Sequence, residues 1–325
     1  ACLVGSEMCI RDRIKTRERK RKMKKGNYFT PVVTAFDENG RPDMDANRRI
    51  WEHLIAGGVD GLVIMGSIGE FFAMSREEKE AIIDQVTDFA GGRTKLYIGT
   101  SCMTPEETVE LSNYALDAGA DAVMVISPYY FSLSDENVEY FYDEVAANIR
   151  GNMFLYNFPD RTGYDLSPEV TRNLLRKHSN IIGYKDTLGN MGHTRKLLNT
   201  VMGEFPDFMV LSGFDEFFVH NLLGGGSGCI GGLSNIYPEL FASWVDAVDK
   251  KDMEKASGIQ QIVDGLMAIY DVSATFIPVI KRAMVIRGIG MQDCCKKPFL
   301  PVSEEQDKKI RMIMKEAEQR MEKLS

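Results

Sequence analysis

Lys185 closes the apolar run "NIIGYK" (180–185), an odd place for a long cation, because lysine is rarely buried unless a partner or a reaction uses it. Reactive groups also follow other short apolar runs of the chain. "MGSIGE" (65–70) presents Ser67 between glycines, and "SPYYF" (127–131) presents Tyr129 and Tyr130. "YNFPDRTG" (156–163) offers Tyr156 and Arg161, and "SGFDE" (212–216) offers Asp215 and Glu216. Together they suit Schiff-base chemistry. An ordinary lysine, with a pKa near 10.4, is neutral only about once in a few thousand at pH 7. Burial favours the uncharged, nucleophilic amine. Such an amine condenses with the ketone of a 2-oxo acid, and the imine withdraws electrons from the neighbouring carbon and makes it acidic. Tyr156, one apolar run before Lys185, suits a proton shuttle. The hydroxyl and N–H groups of "GSIGE" suit a carboxylate. Taken alone, Lys185 reads as a loop lysine reaching solvent and Tyr156 as a core aromatic. Their common position at one end of the strands changes both readings.

The elements that must position these groups are eight apolar runs. They are "YFTPVVTAF" (28–36), "DGLVIMG" (60–66), "KLYIGT" (95–100), "DAVMVIS" (121–127), "NMFLYNF" (152–158), "NIIGYK" (180–185), "DFMVLSG" (207–213) and "SGCIGG" (227–232). Near-continuous apolar character is that of parallel strands covered on both faces. Amphipathic stretches separate them, with start signals at Ser75 ("SREE"), Thr104 ("TPEE") and Ser167 ("SPEV"). Eight such units in series predict an α/β fold, a closed (β/α)8 TIM barrel over 26–250, whose active site forms at the C-terminal strand ends. Residues 251–325 are expected to form a C-terminal helical bundle packed on the barrel, including a docking helix over 304–324.

Of the 325 residues, 44% are hydrophobic and 26% charged, as in an ordinary globular chain. No apolar run approaches the roughly 20 residues that span a bilayer, so no membrane role is expected. The net charge of −8 divides unevenly: residues 1–25 hold ten Lys/Arg and three Asp/Glu, which leaves the remainder at −15. An acidic body argues against a nucleic-acid partner. The head resembles a translated sequencing adapter, "CLVGSEMCIRDR", and is expected to be a non-native or disordered basic segment, with Met23 as a candidate start. The cysteines (2, 9, 102, 229, 294 and 295) show no C-x-x-C spacing, which fits a cytoplasmic protein without a disulfide framework or structural zinc. His53, His178, His193 and His220 lack metal-ligand spacing and read as surface or helix-packing residues. "LGGGSG" (223–228) lacks the P-loop lysine and reads as room for the eighth strand to approach its neighbours.

In order and spacing, "GSIGE", "SPYYF", "YNFPDRTGYDL", "IIGYKDT" and "GFDE" resemble the dihydrodipicolinate synthase / N-acetylneuraminate lyase family of pyruvate-dependent class I aldolases, over about 26–322. The resemblance implies that Lys185 forms the imine with pyruvate and that Tyr156 is the acid/base. It implies that Ser67 and the backbone at Ile68 hold the pyruvate carboxylate and that Ile230 lines the pyruvate site. Tyr130 would complete a neighbouring subunit's proton relay in a homotetramer built as a dimer of dimers. No metal or bound cofactor is implied. The partners would be pyruvate and a small aldehyde or keto-sugar acid.

Two departures bear on substrate. Ile68 lacks the hydroxyl of the "GTTGE" and "GSTGE" turns, and Gly232 stands where neuraminate lyases carry serine. Arg161 matches the arginine with which dihydrodipicolinate synthases hold the carboxylate of aspartate semialdehyde, or else it stabilises its own turn. Gly213, Asp215 and Glu216 resemble the hydroxyl-binding turn of sugar-acid lyases, although both acids also suit a helix N-terminus. The motifs look most like the 2-keto-3-deoxy sugar-acid aldolases. The alternatives are 4-hydroxy-tetrahydrodipicolinate synthase, N-acetylneuraminate lyase and, from another class, a non-catalytic 2-oxo-acid-binding protein.

Overall fold

The computed structural model describes residues 25–324. Residues 1–24 of the basic head and Ser325 lie outside the described residues. The apolar runs become strands β1 (Asn27–Pro31), β2 (Gly61–Ile64), β3 (Lys95–Gly99), β4 (Ala122–Ile126), β5 (Met153–Asn157), β6 (Ile181–Asp186), β7 (Met209–Ser212) and β8 (Gly228–Ile230). All pair in parallel in chain order, and β8 closes on β1, giving the (β/α)8 barrel expected from the sequence.

Around the strands run helices α1 (Met44–Ala56), α2 (Arg76–Ala90), α3 (Pro105–Ala118), α4 (Asp135–Asn148), α5 (Pro168–Lys177), α6 (Gly192–Val201), α7 (Phe218–Leu223) and α8 (Pro238–Asp249). The start signals hold. Ser75 and Glu78 form a reciprocal capping box, and the Thr104 hydroxyl accepts from the Glu107 N–H. Ser167 caps α5, with Pro168 in its first turn. Each cap stabilises its helix by about 1 kcal/mol.

Strand β1 is shorter than its apolar run. Beyond Val32 side-chain amides take over the backbone: the Val33 N–H donates to Asn235 Oδ1 at 3.2 Å and the Ala35 N–H to Asn47 Oδ1 at 2.9 Å. The chain therefore leaves the sheet before Phe36. Likewise β8 ends at Ile230, where a 3-10 turn, Gly232–Asn235, begins.

Inside the barrel, the rings of Phe29, Tyr97 and Phe154 from alternate strands form a floor, with centroids 4.9 and 4.8 Å apart. Glycine makes room for it: a Cβ on Gly183 would lie 2.1 Å from the Phe154 ring. After α8 come α9 (Met253–Leu266), α10 (Phe276–Ile286) and α11 (Glu304–Leu324), with Ile310, Met314 and Ala317 of α11 buried. Among the described residues no helix is long and apolar enough to cross a membrane.

Candidate active site

Side chains alternate along a strand, so Gly183 and Lys185 of β6 share a face, as do Phe154 and Tyr156 of β5. Since Phe154 belongs to the floor, Tyr156 and Lys185 stand one layer above it, inside the barrel. They are register partners, and the Lys185 nitrogen lies 4.3 Å from the centre of the Tyr156 ring. Lys185 is only 5% exposed. Among the described residues no carboxylate lies within ion-pair distance of it. The Tyr156 hydroxyl is 3.3 Å from Ser67 Oγ. The two can exchange a hydrogen bond in either sense, a requirement for moving protons.

Ser67 sits on a turn bracketed by two non-glycine residues in the left-handed region, Met65 (φ 56°) and Glu70 (φ 59°). Such conformations cost about 1–3 kcal/mol each and persist only where the surroundings impose them. The Thr34 hydroxyl donates to the Gly69 carbonyl at 2.8 Å. Glu70, fully buried, accepts from Lys281 Nζ at 2.5 Å and from the Lys296 N–H at 2.7 Å. Lys281, equally buried on α10, also donates to the Cys294 carbonyl. The 3-10 bonds of the turn begin with the Gly69 N–H, so the N–H groups of Ser67 and Ile68 have no carbonyl within the turn to meet.

Across the cavity, Asp215 is 1% exposed and its carboxylate accepts three hydrogen bonds. These come from the Tyr28 hydroxyl at 2.5 Å, the Leu233 N–H at 3.1 Å and the Tyr270 hydroxyl at 3.0 Å. Burial pushes the Asp215 carboxyl up, and the three donors oppose that shift. Burial first, then the Asp215 charge, raises both phenols well above the ordinary tyrosine range. The Thr187 hydroxyl is buried without a hydrogen-bond partner among the described residues and takes the space a side chain at Gly213 would need. A cavity of about 260 Å³ joins these groups. Ser67, Ile68, Tyr156, Lys185, Asp215 and Tyr270 all line it, as do Arg161, Gly213 and Ile230.

The sequence profile of the dihydrodipicolinate synthetase family matches residues 24–317. The chain is 35% identical over 286 residues to the putative 2-dehydro-3-deoxy-D-gluconate aldolase YagE of Escherichia coli (strain K12), covering 88% of this chain and 95% of that protein. It is 34% identical over 293 residues to the probable 2-dehydro-3-deoxy-D-pentonate aldolase YjhH of the same strain, covering 90% and 97%. The crystal structure of YagE in complex with pyruvate matches with a TM-score of 0.88 at 34% identity, covering 90% of this chain and 98% of that one. The chain belongs to the dihydrodipicolinate synthetase family. It is an enzyme of the carbon–carbon lyase class.

Not every residue singled out in the sequence reaches the cavity of this family member. Tyr130 is 79% exposed on the loop after β4, beside the exposed Phe131. Glu216 is half-buried outside the cavity wall, with Oε2 unpartnered, and burial pushes its carboxyl up to about 6. Arg161 lies at the rim, its guanidinium 5.1 Å from the centre of the Phe158 ring. Asp215 opens a 3-10 turn, but its carboxylate is turned to the tyrosines and to Leu233 rather than serving as a cap.

Three histidines pack against neighbouring elements as expected. His53 meets the Asn235 carbonyl, His178 meets Asp143 and His193 meets Asp186, while His220 is exposed. Sequence reasoning missed Tyr270, Thr187 and Phe276, which also line the cavity. Thr187 was within reach, two residues beyond Lys185 in "KDT". Tyr270 lies on the segment between α9 and α10 and Phe276 opens α10, where no local pattern marks a site.

Proposed function

We propose that the enzyme reversibly cleaves a 2-keto-3-deoxy sugar acid to pyruvate and an aldehyde through an imine on Lys185. The observation that carries this reading is a buried lysine at the end of β6, without an acidic partner among the described residues, over the ring of a tyrosine that meets Ser67. The likeness to YagE and YjhH supports the substrate class, and the pyruvate bound in YagE supports the oxo acid. In this reading the Lys185 amine attacks the C2 ketone and water leaves, giving a protonated imine. The C4 hydroxyl gives up its proton, the C3–C4 bond breaks, and its electron pair enters the imine to form an enamine while the aldehyde departs. Protonation at C3 and hydrolysis release pyruvate and restore the amine. Tyr156 carries the protons, and Ser67 connects it to the turn. The carboxylate is held by the Ser67 hydroxyl and by the N–H groups of Ser67 and Ile68. Ile68 supplies only its N–H, and Ile230 bounds the site by its backbone. Neither a metal nor a bound cofactor takes part in these steps.

Arg161 at the rim favours a second reading, condensation of pyruvate with aspartate semialdehyde. Arg161→Ala separates the two. Under the sugar-acid reading it lowers kcat/KM for 2-keto-3-deoxy-gluconate by less than about threefold, because the rim guanidinium is not the main contact. A loss of about 10²-fold or more confined to the semialdehyde reaction would favour the second reading instead. Pyruvate release from the sugar acid and pyruvate consumption with the semialdehyde, measured on the same preparations, decide between them. Gly232 in place of serine counts against a neuraminate lyase, and Lys185, Tyr156 and Ser67 together count against a protein that only binds oxo acids.

We also read the enzyme as a homotetramer in which the exposed Tyr130 serves a neighbouring subunit's relay. Tyr130→Phe is then expected to lower kcat by about 10²-fold with little change in KM. A monomer in sedimentation velocity that retains full activity would withdraw that role. The unpaired cysteines 102, 229, 294 and 295 suit the reducing cytoplasm, where we place the protein.

A further inference from the structure

We propose that the hydroxyl of Tyr270 reads a hydroxyl on the aldehyde portion of the substrate, and that Asp215 acts behind it as a positioning residue; this rests on the sugar-acid reading above. The resemblance to sugar-acid lyases singles out Asp215 itself as the hydroxyl binder, but it is buried and already accepts three hydrogen bonds, with both oxygens engaged. Tyr28 and the Leu233 N–H share Oδ1, and Tyr270 takes Oδ2. The residue is 1% exposed.

Tyr270 is in a different situation. It is partly exposed, lines the same cavity as Lys185, and spends its single proton on Asp215. Its oxygen is left with acceptor capacity only. The phenol keeps that proton, since burial and the Asp215 charge both oppose its loss. The cavity therefore has at this point a fixed acceptor that suits a hydroxyl donor and offers nothing to an alkyl chain.

A second, independent observation comes from Gly232. A Cβ on Gly232 would lie 2.5 Å from the Tyr270 oxygen and 3.4 Å from Ile68 Cδ1. The tyrosine hydroxyl thus fills the room that a side chain at 232 would use, and the isoleucine closes the space beside it. The same holds one residue earlier: a Cβ on Gly231 would lie 2.1 Å from the Tyr28 oxygen and 2.3 Å from Asp215 Oδ1. Two adjacent glycines at the end of β8 make space for the Tyr28–Asp215–Tyr270 arrangement.

The test compares pyruvate condensation with glyceraldehyde and with propanal, which have the same carbon chain and differ by two hydroxyls. The readout is the ratio of the two kcat/KM values, which a general loss of active protein does not move. Tyr270→Phe keeps the ring and removes only the oxygen, and is expected to lower the glyceraldehyde/propanal ratio about tenfold or more. Gly232→Ala, which drives the hydroxyl from its place without touching Tyr270 chemically, is expected to lower the same ratio. It serves as the second variant should Tyr270→Phe fold poorly. An unchanged ratio in a folded variant whose pyruvyl imine is still trapped by borohydride would overturn the role of Tyr270 and leave the proposed function standing. No imine in the unaltered enzyme would remove the underlying reading itself, and this inference with it.

Discussion

Lys185→Ala is expected to reduce turnover of a 2-keto-3-deoxy sugar acid by about 10⁴-fold or more, because no other group on the cavity wall can form the imine. Lys185→Arg should lose as much. A guanidinium stays charged at any working pH and cannot serve as the attacking amine. Stability should not follow activity. Lys185 is buried with no acidic partner among the described residues, so its native environment costs folding free energy. Lys185→Met, close in length and apolar, should unfold at the same temperature as the parent or higher. Steady-state kinetics and thermal unfolding on the same preparations check both halves. If Lys185→Met kept even a hundredth of parental turnover, the covalent role would be untenable.

The second large effect concerns stability, and it lies on the opposite wall. Lys281→Met leaves Glu70 fully buried without its counter-ion, with the Lys296 N–H on its other oxygen. Breaking a buried pair from one side costs about 3–5 kcal/mol, because a desolvated charge loses its counterpart. The midpoint of thermal unfolding should fall by roughly 10 °C. Replacing both members, as Lys281→Met with Glu70→Gln, should recover much of that loss, since no lone charge remains. The pair does more than hold α10 to the barrel. Glu70 is one of the two left-handed residues that shape the Ser67–Gly69 turn, so the single variant should also weaken half-saturation by the oxo acid. Equal unfolding midpoints for parent, single and double variants would show that the pair contributes nothing to stability.

These two lysines mark where the sequence was readable and where it was not. Lys185 announces itself locally. It ends an apolar run, and strand alternation from Gly183 and the Phe154 floor puts it inside a closed barrel. The eight strands and the groups at their ends are legible for the same reason, since each depends on a pattern a few residues long.

Lys281 looks like any cation on an amphipathic helix, and its partner is 211 residues away. Tyr28 lies in what reads as plain strand core, yet its hydroxyl orients Asp215 across 187 residues. The early end of β1 has a similar origin, because Asn235, 202 residues on, captures the Val33 N–H that the apolar pattern had assigned to the sheet. Periodicity reports which side chains share a face. It does not report which buried hydroxyl or amide meets which carboxylate after the chain has closed, and that is where Tyr270 and the Lys281–Glu70 pair were hidden.

The measurement that bears most directly on the account is borohydride reduction in the presence of pyruvate, followed by peptide mass spectrometry of the folded enzyme. One reduced pyruvyl adduct per chain is expected, on Lys185, absent without pyruvate and absent in Lys185→Met. An adduct confined to another lysine, or none in folded protein at saturating pyruvate, would contradict it.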